Sequence, residues 1–146
     1  MKGKILVKNL KELSALTESF SKEILSSKTI NLVLFIEAEM GAGKTTFTSY
    51  LGKALGIESR ITSPTFVGMH HYESDRVDLY HYDCYQVKPS FADTLEILDS
   101  DKKKVLVLEW AGNLDKSFVK AVKKNAEILL LKIEVLEDEV RQFIVS

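Results

Sequence analysis

From Ile36 to Thr46 the chain reads IEAEMGAGKTT, and the residue types in its second half are those that hold a polyphosphate. Gly41 and Gly43 carry no Cβ, so the backbone there can approach anionic oxygens closely. A glycine turn feeding a helix leaves several N–H groups unpaired in one concavity, and the helix dipole adds partial positive charge. In that arrangement Lys44 reaches the β- and γ-phosphates and the Thr45 hydroxyl binds Mg²⁺. The full pattern asks for glycine where this chain has Ala38. Ala38 falls at a strand exit, where one methyl is tolerated unless the position needs positive φ.

A phosphate turn also wants a second Mg²⁺ ligand from the end of a neighbouring strand. Glu109 closes the apolar run Val105–Leu106–Val107–Leu108 and fits that role in the Walker-B manner. Asp83, within His81–Tyr82–Asp83–Cys84–Tyr85, is a further candidate. By strand alternation Val77, Leu79, His81 and Asp83 share a face, which leaves Asp83 either a ligand or a solvated acid.

The elements that must position these groups follow from periodicity. Asn9 can cap a helix in which Leu10, Leu13, Leu16, Phe20 and Ile24 share a face. The apolar run Ile30–Ile36 suits a central strand covered on both sides. A helix starting near Lys44 carries Phe47, Leu51 and Leu55 and stops at Gly56, a left-handed C-cap. Strands are expected at Ile61–Val67, His70–Glu73 and Val77–Asp83, the last two antiparallel around a Ser74–Asp75 turn. Ser90–Leu98 reads as a short helix, Val105–Glu109 as a buried strand and Asp115–Asn125 as a helix. Glu127–Val135 and Glu139–Val145 read as a terminal hairpin around Glu137–Asp138. The class is α/β: a P-loop NTPase-like three-layer sandwich, its central mixed, mostly parallel sheet flanked by helices, with antiparallel hairpins.

Composition sets the limits. The 146 residues suit one domain, residues 1–146, and a net charge of −1 gives no global field toward nucleic acid or an anionic membrane. Lys102–Lys103–Lys104 is expected as a solvated turn. Cys84 is the single cysteine, which excludes a disulfide framework and a cysteine-based metal site. The stretch MKGKILVKNLKELS lacks the features of a signal peptide, and no apolar run approaches about 18 residues, so the expectation is cytoplasmic with no membrane partner.

Taken together, GAGKTTF (Gly41–Phe47), SPTF (Ser63–Phe66), H-x-D-x-Y (His81–Tyr85) and Leu108–Glu109–Trp110 resemble the TsaE (YjeE) family. That family is the small bacterial P-loop ATPase of tRNA threonylcarbamoyladenosine biosynthesis. The resemblance implies ATP binding and Mg²⁺-dependent hydrolysis supporting a partner complex of TsaD-like and TsaB-like subunits. That complex places a threonylcarbamoyl group on adenosine 37, beside the anticodon, of tRNAs reading ANN codons. Carried over by residue, Gly41, Ala42, Gly43, Lys44, Thr45 and Thr46 bind the phosphates, and Thr45 with Glu109 holds Mg²⁺. Asp83 serves metal or water positioning, Thr65 senses the γ-phosphate, Trp110 lies beside the nucleotide and Arg141 matches a C-terminal arginine near it. Trp110 also reads simply as a core aromatic. The chain departs from the family pattern at Ala38, at Gln86 (commonly arginine), at Ala111 (commonly proline) and at Leu13. At that last position many members carry a threonine near the adenine.

Three rival classes are weighed. A GTPase needs N-K-x-D, and Asn113–Leu114–Asp115–Lys116 has the wrong order. A small-molecule kinase closes an arginine-rich lid over the transferred phosphoryl group, whereas Arg60, Arg76 and Arg141 do not cluster in the sequence. A nucleotide-gated binding module with negligible turnover stays open. Scarce arginine also implies slow hydrolysis by the isolated chain and faster hydrolysis in the partner complex, since an arginine finger contributes about 10³–10⁵ to turnover. Without a basic face, tRNA is expected to be reached through partners.

Overall fold

The computed structural model describes every residue except Met1, Phe66, Gln86, Val87, Ala111 and Asn113. The expectations that fall on Phe66 of SPTF, on Gln86, on Ala111 and on Asn113 therefore lie outside the described residues. In chain order the elements are β1 (Gly3–Val7), α1 (Leu10–Ser26), β2 (Asn31–Ala38), α2 (Lys44–Ala54), β3 (Met69–Tyr72), β4 (Asp78–Asp83), α3 (Phe91–Asp99), β5 (Lys104–Glu109), α4 (Lys116–Asn125), β6 (Glu127–Val135) and β7 (Arg141–Val145). The seven strands form one sheet in the order β1-β7-β6-β2-β5-β4-β3.

The four central strands, β6, β2, β5 and β4, are mutually parallel, and the antiparallel pairings β1·β7, β7·β6 and β4·β3 lie toward the edges. The mixed sheet expected from the sequence is present, its pairings evenly divided between the two senses. Alternation along β2 divides the core. Leu32, Leu34 and Ile36 join Phe20 of α1 and Phe47 and Leu51 of α2 on one face. Val33 and Phe35 join Leu98 of α3 and Phe118 and Val122 of α4 on the other. Phe20 and Phe47 meet edge to face at 5.7 Å, which fixes α1 against α2. β2 and β5, buried on both faces, read as unbroken apolar runs for that reason.

Local signals set the helix ends. Asn9 accepts a hydrogen bond from the Glu12 N–H at 2.9 Å and caps α1. Ser90 caps α3 in the same way. Gly56, at φ 91°, turns the chain out of α2 in the left-handed region. The β6–β7 connection passes through Glu137–Glu139, with Asp138 at φ 57°.

The structure departs from the sequence expectations at three points. Ile61–Val67 is not a strand among its described residues. Pro64 offers no N–H, and its carbonyl accepts from the Val67 and Gly68 N–H groups, so the chain turns there. Ile61 instead packs on α2 at Gly52, where an added Cβ would come within 2.0 Å of Ile61 Cδ1. The short edge strand β1 was not expected; it pairs with β7 from Gly3↔Val145 to Val7↔Arg141.

The third correction concerns Lys102–Lys103–Lys104, of which only Lys102 is exposed as a solvated turn requires. Lys102 pairs with Asp78, Lys103 donates to the Ile24 carbonyl at 2.7 Å and to that of Ser27, and Lys104 is 2% exposed. Lys104 Nζ donates to Asn31 Oδ1 at 2.7 Å and to the Ser100 carbonyl at 2.6 Å, although burial lowers its pKa. Asn31 in turn donates to the carbonyls of Leu98 and Asn125, tying the start of β2 to the ends of α3 and α4. Among the described residues no helix is long and apolar enough to cross a membrane.

Replacing Lys104 by methionine keeps the apolar stem but strands the buried Asn31 Oδ1 and removes a bond to the Ser100 carbonyl. Chemical denaturation of Lys104→Met should show a loss of about 1–3 kcal/mol, and a midpoint equal to that of the unaltered protein would refute the network's importance.

Candidate nucleotide-binding site

Parallel register gathers the site. Ile36 of β2 pairs with Glu109 of β5, and Glu109 pairs with Asp83 of β4, so the ends of β5 and β4 line up beside the last residues of β2 at the carboxyl edge of the sheet. Ligands of open parallel sheets sit at this edge. β2 runs from there through the glycine turn into α2.

Gly41 and Gly43 stand at φ 80° and 107°, and a Cβ built on either meets nothing within 4 Å. Open space therefore lies over the turn. Gly43 is the N-cap of α2 and offers no side-chain cap, so the first N–H groups of the helix face that space with no intrahelical partner. Ala38 closes β2 in register with Ile133 and is not among the positive-φ residues. The methyl group at the expected glycine position therefore costs no backbone strain.

Lys44 is buried and folded back on its own loop, donating to the Ala38 carbonyl at 3.1 Å and to that of Glu39 at 3.4 Å. Its ammonium also lies 4.7 Å from the centroid of the Trp110 ring. Trp110 is half-buried at φ 59° and tilts against Tyr85, with ring centroids 5.3 Å apart. Trp110 thus stands at the rim of the site and is not a plain core aromatic.

A cleft of about 630 Å³ brings together Gly41, Gly43, Lys44, Thr45 and Thr46 with Thr65, Asp83, Glu109 and Trp110. Ala42 and Arg141 are elsewhere. Both border a second cavity of about 260 Å³ on the other side of the turn, between the start of α1 and β7, where Leu13 contributes an apolar wall. Arg141 Nε donates to the Ala42 carbonyl at 3.3 Å. Thr65 and Ser63 share a hydrogen bond of 2.6 Å at the cleft mouth.

Asp83 is 4% exposed and Glu109 3%, so Asp83 is not the solvated acid that alternation alone allowed. Asp83 Oδ1 accepts from the Tyr85 N–H at 3.0 Å. Among the described residues the one ion-pair partner of either acid is His81, whose Nε2 lies 2.8 Å from Glu109 Oε1. Two adjacent buried carboxylates without a lysine or arginine on them form an oxygen-rich set suited to a hard divalent cation. The residues present fit Mg²⁺. The other group of potential ligands, His71, Glu73 and Asp78, lies at the opposite end of β4, where Lys102 already pairs with Asp78.

His81 carried no role in the sequence reading, although its i, i+2 spacing to Asp83 placed it on the same strand face. Next to the acids, burial first and the charges of Asp83 and Glu109 second push the Cys84 thiol up to about 12.

A model of the family described as "Threonylcarbamoyl adenosine biosynthesis protein TsaE" matches residues 7–143. The chain belongs to the TsaE family. A TsaE from Aquifex aeolicus is 33% identical over 128 residues, covering 86% of this chain and 85% of that one. The Bacillus subtilis relative is 35% identical over 105 residues, or 69% of this chain and 60% of the relative. The Nostoc relative is 44% identical over 61 residues, 42% and 38% of the two chains. Matches to several curated TsaE relatives thus span about half of their length. All of these relatives are named as tRNA threonylcarbamoyladenosine biosynthesis proteins. The crystal structure of YdiB from Bacillus subtilis superposes with a TM-score of 0.67 at 21% identity, covering 100% of this chain and 86% of that one. This likeness shows the fold, and TsaE membership agrees with the α/β P-loop architecture.

The raised Cys84 value sets a sign for alkaline stability. An unfolded thiol ionises near its ordinary value of 9.0, whereas the folded one holds its proton to about 12. Raising the pH through that window therefore favours the unfolded chain, by up to about 1.4 kcal/mol per pH unit. Tyr82, raised by burial to about 12, adds to the upper part of the window. Denaturation midpoints measured from pH 8 to 11 should fall less steeply for Cys84→Ala than for the unaltered protein. Parallel slopes would contradict the assignment.

Proposed function

We propose that this chain binds ATP with Mg²⁺ at the glycine turn and hydrolyses it in support of tRNA threonylcarbamoyladenosine formation. The observation that carries the reading is the open turn itself. Unpaired N–H groups at the head of α2, two left-handed glycines with free space above them and a buried lysine all face one cleft. Its tRNA-modification context rests on the TsaE membership and the names of the relatives.

The phosphates lie along Gly41–Thr46, held by the backbone N–H groups of the turn and of the first residues of α2. Lys44 exchanges the carbonyls of Ala38 and Glu39 for the β- and γ-oxygens. Thr45 and the carboxylates of Glu109 and Asp83 are the residues that hold the metal. Mg²⁺, when bound there, offsets the negative charge of the acids and the phosphates together. Asp83 and Glu109, at the floor of the cleft, orient the attacking water, and Thr65 reports the γ-phosphate from the cleft mouth. The base occupies the second cavity beside Leu13 and Arg141, with Leu13 giving it an apolar wall.

Arginine placement argues against a kinase. Arg141 borders the base cavity and not the phosphate cleft, Arg76 lies in the turn before β4, at the far end of that strand from Asp83, and Arg60 is exposed. No arginine lines the cleft among the described residues. With no guanidinium over the phosphates, turnover by the chain alone is slow and rises within the complex of TsaD-like and TsaB-like partners. The partner assembly carries the tRNA.

Titration calorimetry of ATP and GTP, with and without Mg²⁺, tests the core of this reading. Binding should favour ATP, and Lys44→Ala should abolish it; undiminished binding by that variant would remove the turn as the site. Glu109→Ala should bind nucleotide within a few-fold of the unaltered protein while losing at least about tenfold in phosphate release, the penalty typical of disrupted metal sites. Equal turnover would exclude Glu109 from the chemistry.

A further inference from the structure

The geometry points to His81 as the positioning residue of Glu109: its imidazole fixes the carboxylate that the proposed ATPase reading places at the metal. This inference rests on that reading, but its observations are separate. His81 is 0% exposed in the middle of β4, and its pairing partner is Val107, two residues before Glu109. The side chain therefore reaches diagonally along the shared face to the strand end, and Nε2 lies 2.8 Å from Oε1.

An ionised carboxylate can only accept, so Nε2 carries the hydrogen. His81 Nδ1 is then left buried with no partner among the described residues. An imidazole buried with one nitrogen unpaired is a costly way to fill space, and a leucine would fill it more cheaply. What the histidine supplies beyond volume is the bond to Glu109.

That bond matters because of what shares the cleft. A free glutamate has three side-chain torsions, and Glu109 borders the same space as the Lys44 ammonium. Unanchored, it could turn to that cation and neutralise the two groups that phosphate and metal each require. Held through Oε1, it stays at its strand end beside Asp83. Partners of metal-binding side chains typically contribute about 10–100-fold to metal affinity or rate.

The test compares His81→Leu, which keeps volume without a donor, and His81→Gln, whose amide restores a donor at a similar reach. ADP affinity is measured calorimetrically without Mg²⁺ and across a Mg²⁺ titration, alongside kcat and thermal midpoints. We expect His81→Leu to keep its Mg²⁺-free ADP affinity. Its Mg²⁺ response and kcat should each fall by about tenfold or more, and His81→Gln should recover most of both. A Mg²⁺ response and kcat like those of the unaltered protein in folded His81→Leu would overturn the inference and leave the ATPase reading intact. So would His81→Gln as impaired as His81→Leu, or loss of Mg²⁺-free binding, either of which marks a packing role. Should His81→Leu not fold, His81→Gln is set against His81→Asn, whose amide is too short to reach. Gln must then exceed Asn in Mg²⁺ response, and equality overturns the inference. An unaltered protein that binds no nucleotide would overturn the ATPase reading and this inference with it.

Discussion

The parallel register of β2, β5 and β4 is the constraint on which the site depends. Pairing Ile36 with Glu109 and Glu109 with Asp83 brings residues far apart in sequence to one edge of the sheet. The strands can run parallel only because helices cross over between them, and those helices bury both faces of β2 and β5. Once that is fixed, the exit of β2 must open beside two acids. The two acids and the glycine turn are placed by where these strands stop.

Burial and charge are then balanced across the edge. The acids are taken out of water with a single imidazole against them, while the cationic Lys44 is turned onto carbonyl oxygens of its own loop. Negative charge on the floor and hydrogen-bond donors on the wall are the pairing that the proposed nucleotide and metal would need. Neither half would be well matched by a neutral ligand. At the other end of the sheet polarity is treated differently: Lys104, Asn31 and the ends of α3 and α4 satisfy one another.

Legibility in the sequence followed the range of the interactions. The turn at Gly41–Thr46, the Asn9 cap and the apolar runs of β2 and β5 are set by neighbours in the chain, and each stands where it was read. Glu109 was legible because it ends a buried run. Long-range contacts decided the rest. GKILV looks like an ordinary N-terminal stretch until β7 is there to pair with it. Ile61–Val67 has strand composition, but Gly52 gives Ile61 a place to pack and the turn at Pro64 bends the chain away from an extended path. Lys102–Lys104 looks like a charge run, yet Asp78, Ile24 and Asn31, which take its ammonium groups, are tens of residues away. The His81 contact with Glu109 spans 28 residues and leaves no periodic trace.

The resting posture of Lys44 also bears on how tightly any anion can be held. Its ammonium already has two carbonyl oxygens and the face of Trp110 for company. An anion recruited by Lys44 would therefore trade with existing partners instead of rescuing an isolated charge, and the net gain would be the difference between two well-satisfied arrangements. An anion at this turn would thus be held by a margin, with the Ala38 and Glu39 carbonyls in reach to take the lysine back.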